Sequence, residues 1–404
     1  MTSESPARPP ASPRRRLLRR LAGICLSIAI FLLLLEVILA AAPGLLPPSL
    51  GNAVYGRYNA HPWGMYFALP GYPMLFLRPH HDLIAYWNGY TWHHHTDARG
   101  FRNPDSWAEP SILLLGDSMI YGHGVEVEDT VGFVLHEEMG RPVYNMARQG
   151  DCLYQQYVLL RLYAAELKPR TVVLFVFLND FADLLYYRTP EDLEDPPEIE
   201  RYDYTALRQL VEAGTGGPQT WSERTYLRLR SLRLLGTLAR QAFTAEAATR
   251  NTRSLLPLNG PQRRLTASYA QQILADLRTR LEAQGTDLLV VHLFIDPRMV
   301  GFHDTQRAMN RALRAICQEE GLRCTATHEL FKGCPECFLT RDGHFSPEGH
   351  RRLAHFVDAA LDPSGAVLIP PFSAVPAAGA PAGSAPPPPP AASSSPPRNR
   401  SGTP

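Results

Sequence analysis

The sequence predicts a three-layer α/β/α sandwich on a mostly parallel sheet, preceded by one transmembrane helix. Three observations carry this expectation: apolar strand-like runs in series, helix-patterned segments between them, and one long apolar stretch near the N-terminus. Strands alternating with helices imply a parallel sheet with helices on both faces.

The first element is the apolar stretch. From Leu21 to Ala42 only Ser27 and Glu36 are polar, and 22 residues at the helical rise slightly exceed the roughly 30 Å of a bilayer's hydrocarbon. Residues 1–20 carry Arg8, Arg14, Arg15, Arg16, Arg19 and Arg20, which by the positive-inside rule stay in the cytoplasm. The expectation is a single-pass protein of a bacterial inner (cytoplasmic) membrane, with everything past residue 42 periplasmic or extracellular. A cleaved signal peptide is the rival, because Ala40, Ala41 and Ala42 are small. Its apolar region usually spans only about 7–15 residues, so an uncleaved anchor is favoured. Glu36 lies near the outer end of the span, which suits an interfacial position, and is assigned no role.

Residues 43–105 are rich in Pro, Gly, Tyr, Trp and His without sustained period and read as an irregular lead-in. Strand-like runs follow at Ile112–Leu115, Val143–Asn145, Thr171–Leu178 and Asp287–Phe294, the last two β-branched and nearly continuous, as strands buried on both faces are. Helical patterns occupy Thr130–Met139, Leu153–Leu167, Pro261–Ala283, Gln306–Glu320 and Pro347–Leu361. The catalytic unit is thus placed at 106–363. A long helical insertion, about 181–264, interrupts the alternation and reads either as a lid beside the site or as surface padding. Residues 364–404 are Pro, Ala, Ser and Gly for the most part, a composition that cannot bury enough apolar area to fold, so a disordered tail is expected.

A formal net charge of +1 gives no field to gather a polyanion, so no nucleic-acid partner is expected. Cys25 falls in the span, whereas Cys152, Cys317, Cys324, Cys334 and Cys337 meet an oxidising compartment. Disulfides are favoured over zinc or redox roles for this set, with the pairing open. His93, His94 and His95 do not make a metal site, because neighbours on an extended chain point to opposite sides. No metal and no cofactor is expected.

The chemistry-bearing residues sit where strands end. Ile112-Leu113-Leu114-Leu115-Gly116-Asp117-Ser118 is a buried strand that hands Ser118 to the carboxyl edge of the sheet. A serine there is either an exposed nucleophile or a helix-capping turn residue. Gly150 follows the second strand and Asn179 the third, so three loops converge on one edge. With the Ser118 amide they offer three donors to an oxyanion. Before the closing helix, Asp342-Gly343-His344 offers a general base beside a carboxylate, and Ser346-Pro347 reads as that helix's N-cap and first position. His350 reads as packing or surface, and His123 as local structure more than pocket lining. Gly116-Asp117-Ser118-Met119-Ile120 lacks the second glycine of a nucleophile elbow, which disfavours an α/β-hydrolase.

These four stretches, in this order, resemble the SGNH (GDSL-type) hydrolase superfamily over roughly Ser111 to Leu361. The resemblance implies a flavodoxin-like sheet and a serine ester hydrolase in which Ser118 is the nucleophile, His344 the base and Asp342 its partner. It also implies an oxyanion hole of Ser118, Gly150 and Asn179. Asp97-Ala98-Arg99-Gly100-Phe101-Arg102 resembles a lead-in that precedes such domains in bacterial envelope proteins. The chain departs from the family pattern with Phe177 in place of a glycine in the third block. It also has one residue rather than two between Asp342 and His344, so a triad and a Ser–His dyad both stay open. The substrate expected is an ester or an acylated glycan. An O-acyltransferase working on envelope polysaccharide and a non-catalytic glycan-binding module are the alternatives.

Overall fold

The computed structural model describes residues 13–56, 64–107, 109–186, 202–214, 229–243, 258–296 and 298–362. The tail from 364 onward, Arg8 and much of the insertion lie outside the described residues.

The apolar stretch is a helix, α1 (Pro13–Ala41), that starts eight residues earlier than the predicted span. Arg14, Arg15, Arg16, Arg19 and Arg20 therefore belong to the helix itself, since arginine is a good helix former and Pro13 suits a helix start. It is one helix long and apolar enough to cross a membrane.

Residues 43–105, expected to be irregular, hold a helix and two hairpins. Helix α2 (Pro48–Tyr55) is followed by β1 (Tyr66–Ala68) paired with β2 (Leu75–Leu77), and β3 (Asp82–Trp87) paired with β4 (Tyr90–His95). The second hairpin turns at Asn88-Gly89, both at positive φ, which is the Asn-Gly signal of a two-residue turn. Alternation along β4 buries His94, whose Nδ1 lies 2.6 Å from the Tyr121 hydroxyl, and turns His93 and His95 to the other face. There they meet Asp82 and Asp105.

The main sheet contains β5 (Ile112–Leu115), β6 (Val143–Asn145), β7 (Thr171–Val176), β8 (Asp287–His292) and β9 (Arg323–Ala326), ordered β6-β5-β7-β8-β9 and parallel throughout. The fifth strand escaped the sequence reading because it is short, polar and only partly buried at an edge. The helices are α3 (Ser118–Tyr121), α4 (Leu153–Leu167), α5 (Tyr204–Ala213), α6 (Arg230–Phe243), α7 (Gly260–Glu282), α8 (His303–Glu319) and α9 (Pro347–Leu361). Between α3 and β6, the segment expected as one helix is a short α-turn, Val131–Phe133, running into a π-helix, Val134–Glu138. Two apolar clusters cover the sheet. One joins Leu113, Leu115, Val172 and Leu174 to α4 and α7, the other joins Leu114, Val173, Phe175 and Val291 to α9. Successive residues of each strand go to opposite clusters, as period-2 strands in a three-layer fold require.

Cys317–Cys324 and Cys334–Cys337 are disulfides, while Cys25 and the buried Cys152 are free.

Candidate active site

Ser118 opens α3 at the end of β5. Asp117 caps this short helix, accepting a hydrogen bond from the Met119 N–H at 2.9 Å. Gly116 is required by close packing, since a Cβ there would sit 2.7 Å from Ile120 and 3.4 Å from Phe175. The serine is thereby held at the carboxyl edge of the sheet, where doubly wound folds place their ligands.

His344 reaches this serine from the other end of the domain. The Leu339 N–H bonds the His344 carbonyl at 2.7 Å, and Phe338 bridges Phe345, so residues 339–344 form a tight loop before α9. Ser346 caps α9 through the Gly349 N–H, as its sequence suggested. His344 Nε2 lies 2.7 Å from Ser118 Oγ, and its Nδ1 lies 2.9 Å from Asp342 Oδ1. The short Asp-Gly-His spacing therefore does not prevent the carboxylate from reaching the ring. Gly343 makes this possible by taking a φ of +78°, a left-handed bend that folds residue 342 back beneath 344.

A second imidazole, given only a local role by the sequence, joins this chain. His123 Nε2 lies 3.3 Å from Asp342 Oδ2, and its ring stacks on that of His344 with centroids 4.2 Å apart. Gln149 Nε2 approaches His123 Nδ1 at 3.1 Å. An amide NH2 is a donor, so Nδ1 accepts and the imidazole hydrogen sits on Nε2, facing the carboxylate. Burial, with His344 adding to it, pushes His123 down to about 4, so the ring is neutral at physiological pH. Burial works against ionisation of Asp342, but hydrogen bonds from His123 and His344 outweigh it and hold the carboxyl well below its usual range. Asp342 is thus a fixed carboxylate between two imidazoles. The sequence carried no signal for this partnership, because residues 123 and 342 meet only in the fold.

The loop bearing His123 is latched by Arg102 of the lead-in. Its guanidinium donates to the carbonyls of Gly122 at 3.0 Å, Val125 at 2.9 Å and His93 at 2.8 Å. Asp97, at the start of the same stretch, takes the N–H groups of Arg99 and Phe101 and the Tyr144 hydroxyl.

A cleft of about 450 Å³ opens over Ser118 and His344. Tyr66, Pro73, Leu75 and Trp87 of the hairpins form one wall, with Gln149, Gly150, Asp151 and Gln155 facing them. No described residue of the insertion lines it. Gly150 has a φ of +75° and its Cα faces open space. Among the described residues, neither its N–H nor that of Ser118 is taken by a hydrogen bond. Asn179 is not among the residues lining the cleft, and its Nδ2 donates to Asp183 at 2.8 Å. His350 is buried inside α9, pushed down to about 3 by burial, and its Nδ1 accepts from the Val131 N–H at 3.2 Å.

Beneath the serine lie buried carboxyls. Burial raises Asp117 to about 7 against the Met119 N–H, and raises Asp151 to about 6 against its ion pair with Arg148. The atoms of His123, Asp342 and His344 lie within 4.8 Å of one another, a set with the chemistry of a metal site. Within the set, His344 Nδ1 meets Asp342 Oδ1 and His344 Nε2 meets Ser118 Oγ, while His123 Nε2 faces Asp342 Oδ2 at 3.3 Å.

The sequence profile of the GDSL-like Lipase/Acylhydrolase family matches residues 114–352, more than half of the chain. The chain belongs to that family. As a GDSL-type member it is an ester-hydrolysing enzyme. Among solved structures it is similar to TesA, at 16% identity over 62% of this chain and 98% of that one, with a TM-score of 0.36. It is also similar to the acetyl xylan esterase AlAXEase (13% identity, 62% and 100%, TM-score 0.35). A third is a catalytic mutant of Axe2, an acetylxylan esterase from Geobacillus stearothermophilus (13%, 61% and 92%, TM-score 0.33). No curated protein matches the chain.

Proposed function

We propose that this GDSL-type enzyme is a membrane-anchored acylesterase that removes short acyl groups, acetyl foremost, from carbohydrates or small esters. The observation that carries the reading is the continuous chain from Ser118 Oγ through His344 to Asp342, opening into a cleft with aromatic walls. In this mechanism His344 Nε2 takes the Ser118 proton as Oγ attacks the ester carbonyl. The N–H groups of Ser118 and Gly150, two residues that line the cleft, have no internal partner among the described residues and hold the developing oxyanion. Asn179, the third donor implied by the family, joins them only on leaving Asp183 and turning into the cleft. His344 then protonates the departing alkoxide, and water activated by the same imidazole releases the acyl group from Ser118. Asp342 stays ionised throughout and keeps the imidazole in the productive tautomer.

The polar floor and the Tyr66 and Trp87 rings suit a sugar, which offers hydroxyls to the first and C–H faces to the second. The apolar helix α1 anchors the enzyme, with its arginine-rich start in the cytoplasm and the catalytic domain in the periplasm of a bacterial cell. The contacts of the helix end support an uncleaved anchor. Leu39 is buried beside Val54 and Tyr55, and its carbonyl accepts the Tyr55 hydroxyl at 2.8 Å.

The test is p-nitrophenyl acetate turnover together with fluorophosphonate labelling read by mass spectrometry. Ser118→Ala abolishes both without shifting the melting temperature; unchanged turnover in that variant would remove Ser118 as nucleophile. A labelled acyl donor offered with and without a glycan acceptor separates release to water from transfer.

A further inference from the structure

Glu36 explains itself through a contact with the insertion. Its Oε1 accepts from Arg230 Nη1 at 3.0 Å and its Oε2 from the Ser231 N–H at 2.8 Å, at the first turn of α6. A carboxylate from the anchor therefore sits at the N-terminus of a second helix, where the helix dipole favours negative charge. Both oxygens are matched, which removes the cost of a bare carboxylate in an apolar span.

The contact also fixes the depth at which α6 starts. Glu36 precedes Ala42 by six residues, about 9 Å along the helix axis. If Leu21–Ala42 spans the hydrocarbon, Glu36 lies just inside its outer boundary, and the residues bonded to it lie there too. From this point α6 runs for 14 residues, about 21 Å. Leu234 turns inward to Leu39, Val54, Tyr55 and Tyr86. Leu235 and Leu238, three residues apart, are 41% and 43% exposed. On α1, which Glu36 joins to this helix, Leu33, Leu34, Val37 and Ile38 are also exposed. The helix has no acidic residue; Arg233 is buried and Arg230 is held by Glu36, so the exposed Leu235–Leu238 side is the part left to meet lipid.

We infer that α6 is an interfacial helix: its Leu235–Leu238 side beds into the headgroup boundary of the outer leaflet, and Glu36 pins it to the anchor. The inference rests on the membrane-anchor reading of α1. Within the insertion, α6 then works as a collar that fixes the catalytic domain against the bilayer.

Full-length protein carrying Cys25→Ser, which leaves Cys152 as a free but fully buried thiol, is reconstituted into phosphatidylcholine–phosphatidylglycerol vesicles, with one accessible cysteine placed by Leu235→Cys, Leu238→Cys, Ile30→Cys or Glu212→Cys and labelled with an environment-sensitive fluorophore. Lipid-borne nitroxide near the headgroup lowers emission about twofold at 235 and 238, as a shallow burial of roughly 5–10 Å implies, and aqueous iodide does not. At 212, on α5, only iodide quenches. Lipid quenching at 30 with iodide quenching at 235 and 238 overturns the interfacial helix and leaves the anchor standing. Iodide quenching at 30 overturns the anchor, and the interfacial helix with it.

Discussion

Replacing Asp342 with asparagine tests whether one carboxylate serves two imidazoles. Asp342 presents two oxygens to two donors, His344 Nδ1 at 2.9 Å and His123 Nε2 at 3.3 Å. An amide offers one oxygen and one NH2, so it can accept from only one of them. His123 cannot yield, because its Nδ1 faces the Gln149 NH2 at 3.1 Å and its hydrogen stays on Nε2. The introduced amide therefore turns its oxygen to His123 and its NH2 to His344. The His344 proton is then driven to Nε2, opposite Ser118, and the ring cannot accept the serine proton. The expected loss in kcat/KM for p-nitrophenyl acetate is about 10⁴-fold, about 5 kcal/mol of transition-state stabilisation. Adding His123→Leu removes the competing donor and lets the amide turn its oxygen to His344. Additive effects would make the double variant worse than Asp342→Asn alone; the shared carboxylate makes it better, by about tenfold for about one neutral hydrogen bond. Steady-state kinetics, normalised to active sites by fluorophosphonate titration, read both numbers. An Asp342→Asn variant within tenfold of wild type refutes the orienting role of Asp342. A double variant no better than the single one refutes the sharing.

Three further outcomes follow from the same geometry. Gly343→Ala forces a side chain to φ +78° and sets its Cβ 3.0 Å from Met299 Sδ, so it costs about 1–2 kcal/mol. Its kcat falls more than its melting temperature, since the bend sets Asp342 under His344; a variant with wild-type kcat counts against that role. Asp117 is raised above its unfolded value by burial, so its contribution to stability is present at low pH and lost as pH rises toward about 7. Asp117→Asn keeps the cap and cannot ionise, so chemical denaturation shows it gaining on wild type between about pH 4 and pH 7 and holding level above, and a constant difference would refute the assignment. Removing the Cys334–Cys337 bridge with a pair of alanines frees the 3-10 turn whose Cys337 carbonyl accepts the Ser346 N–H at 2.9 Å, just after the His344 loop. Calorimetry shows a loss of about 2 kcal/mol with kcat falling alongside, and unchanged values in both would detach the bridge from the loop.

The sequence exposes elements whose pattern is local and strong. Leu153–Leu167 and Pro347–Leu361 were readable to the residue, the second because Ser346 and Pro347 mark its start. The β5 run and its Gly-Asp-Ser end were equally plain, because an apolar strand buried on both faces leaves a continuous signature. What stayed hidden depends on contacts between distant segments. β9 is Arg323-Cys324-Thr325-Ala326, a strand only because β8 lies beside it. The hairpins at 66–95 looked irregular because their strands are short and their aromatic residues face both core and cleft. His123 is unremarkable in sequence, and its partner is 219 residues away.

That distance bears on how a shortened motif can work. With one residue between Asp342 and His344, a left-handed Gly343 brings the carboxylate to the ring, yet a glycine bend alone is a loose support, since glycine is also the residue most free to leave such a conformation. The structure supplies restraint from outside the loop. His123 holds the far oxygen of Asp342 and stacks on His344; Gln149, next to Gly150 on the oxyanion side, sets the His123 tautomer. Arg102 ties the His123 loop to the hairpins that wall the cleft. His344, the Gln149–Gly150 side of the cleft and the lead-in are thus mechanically one unit, and Arg102, far from the His344 motif in sequence, is part of what holds the imidazole against the serine.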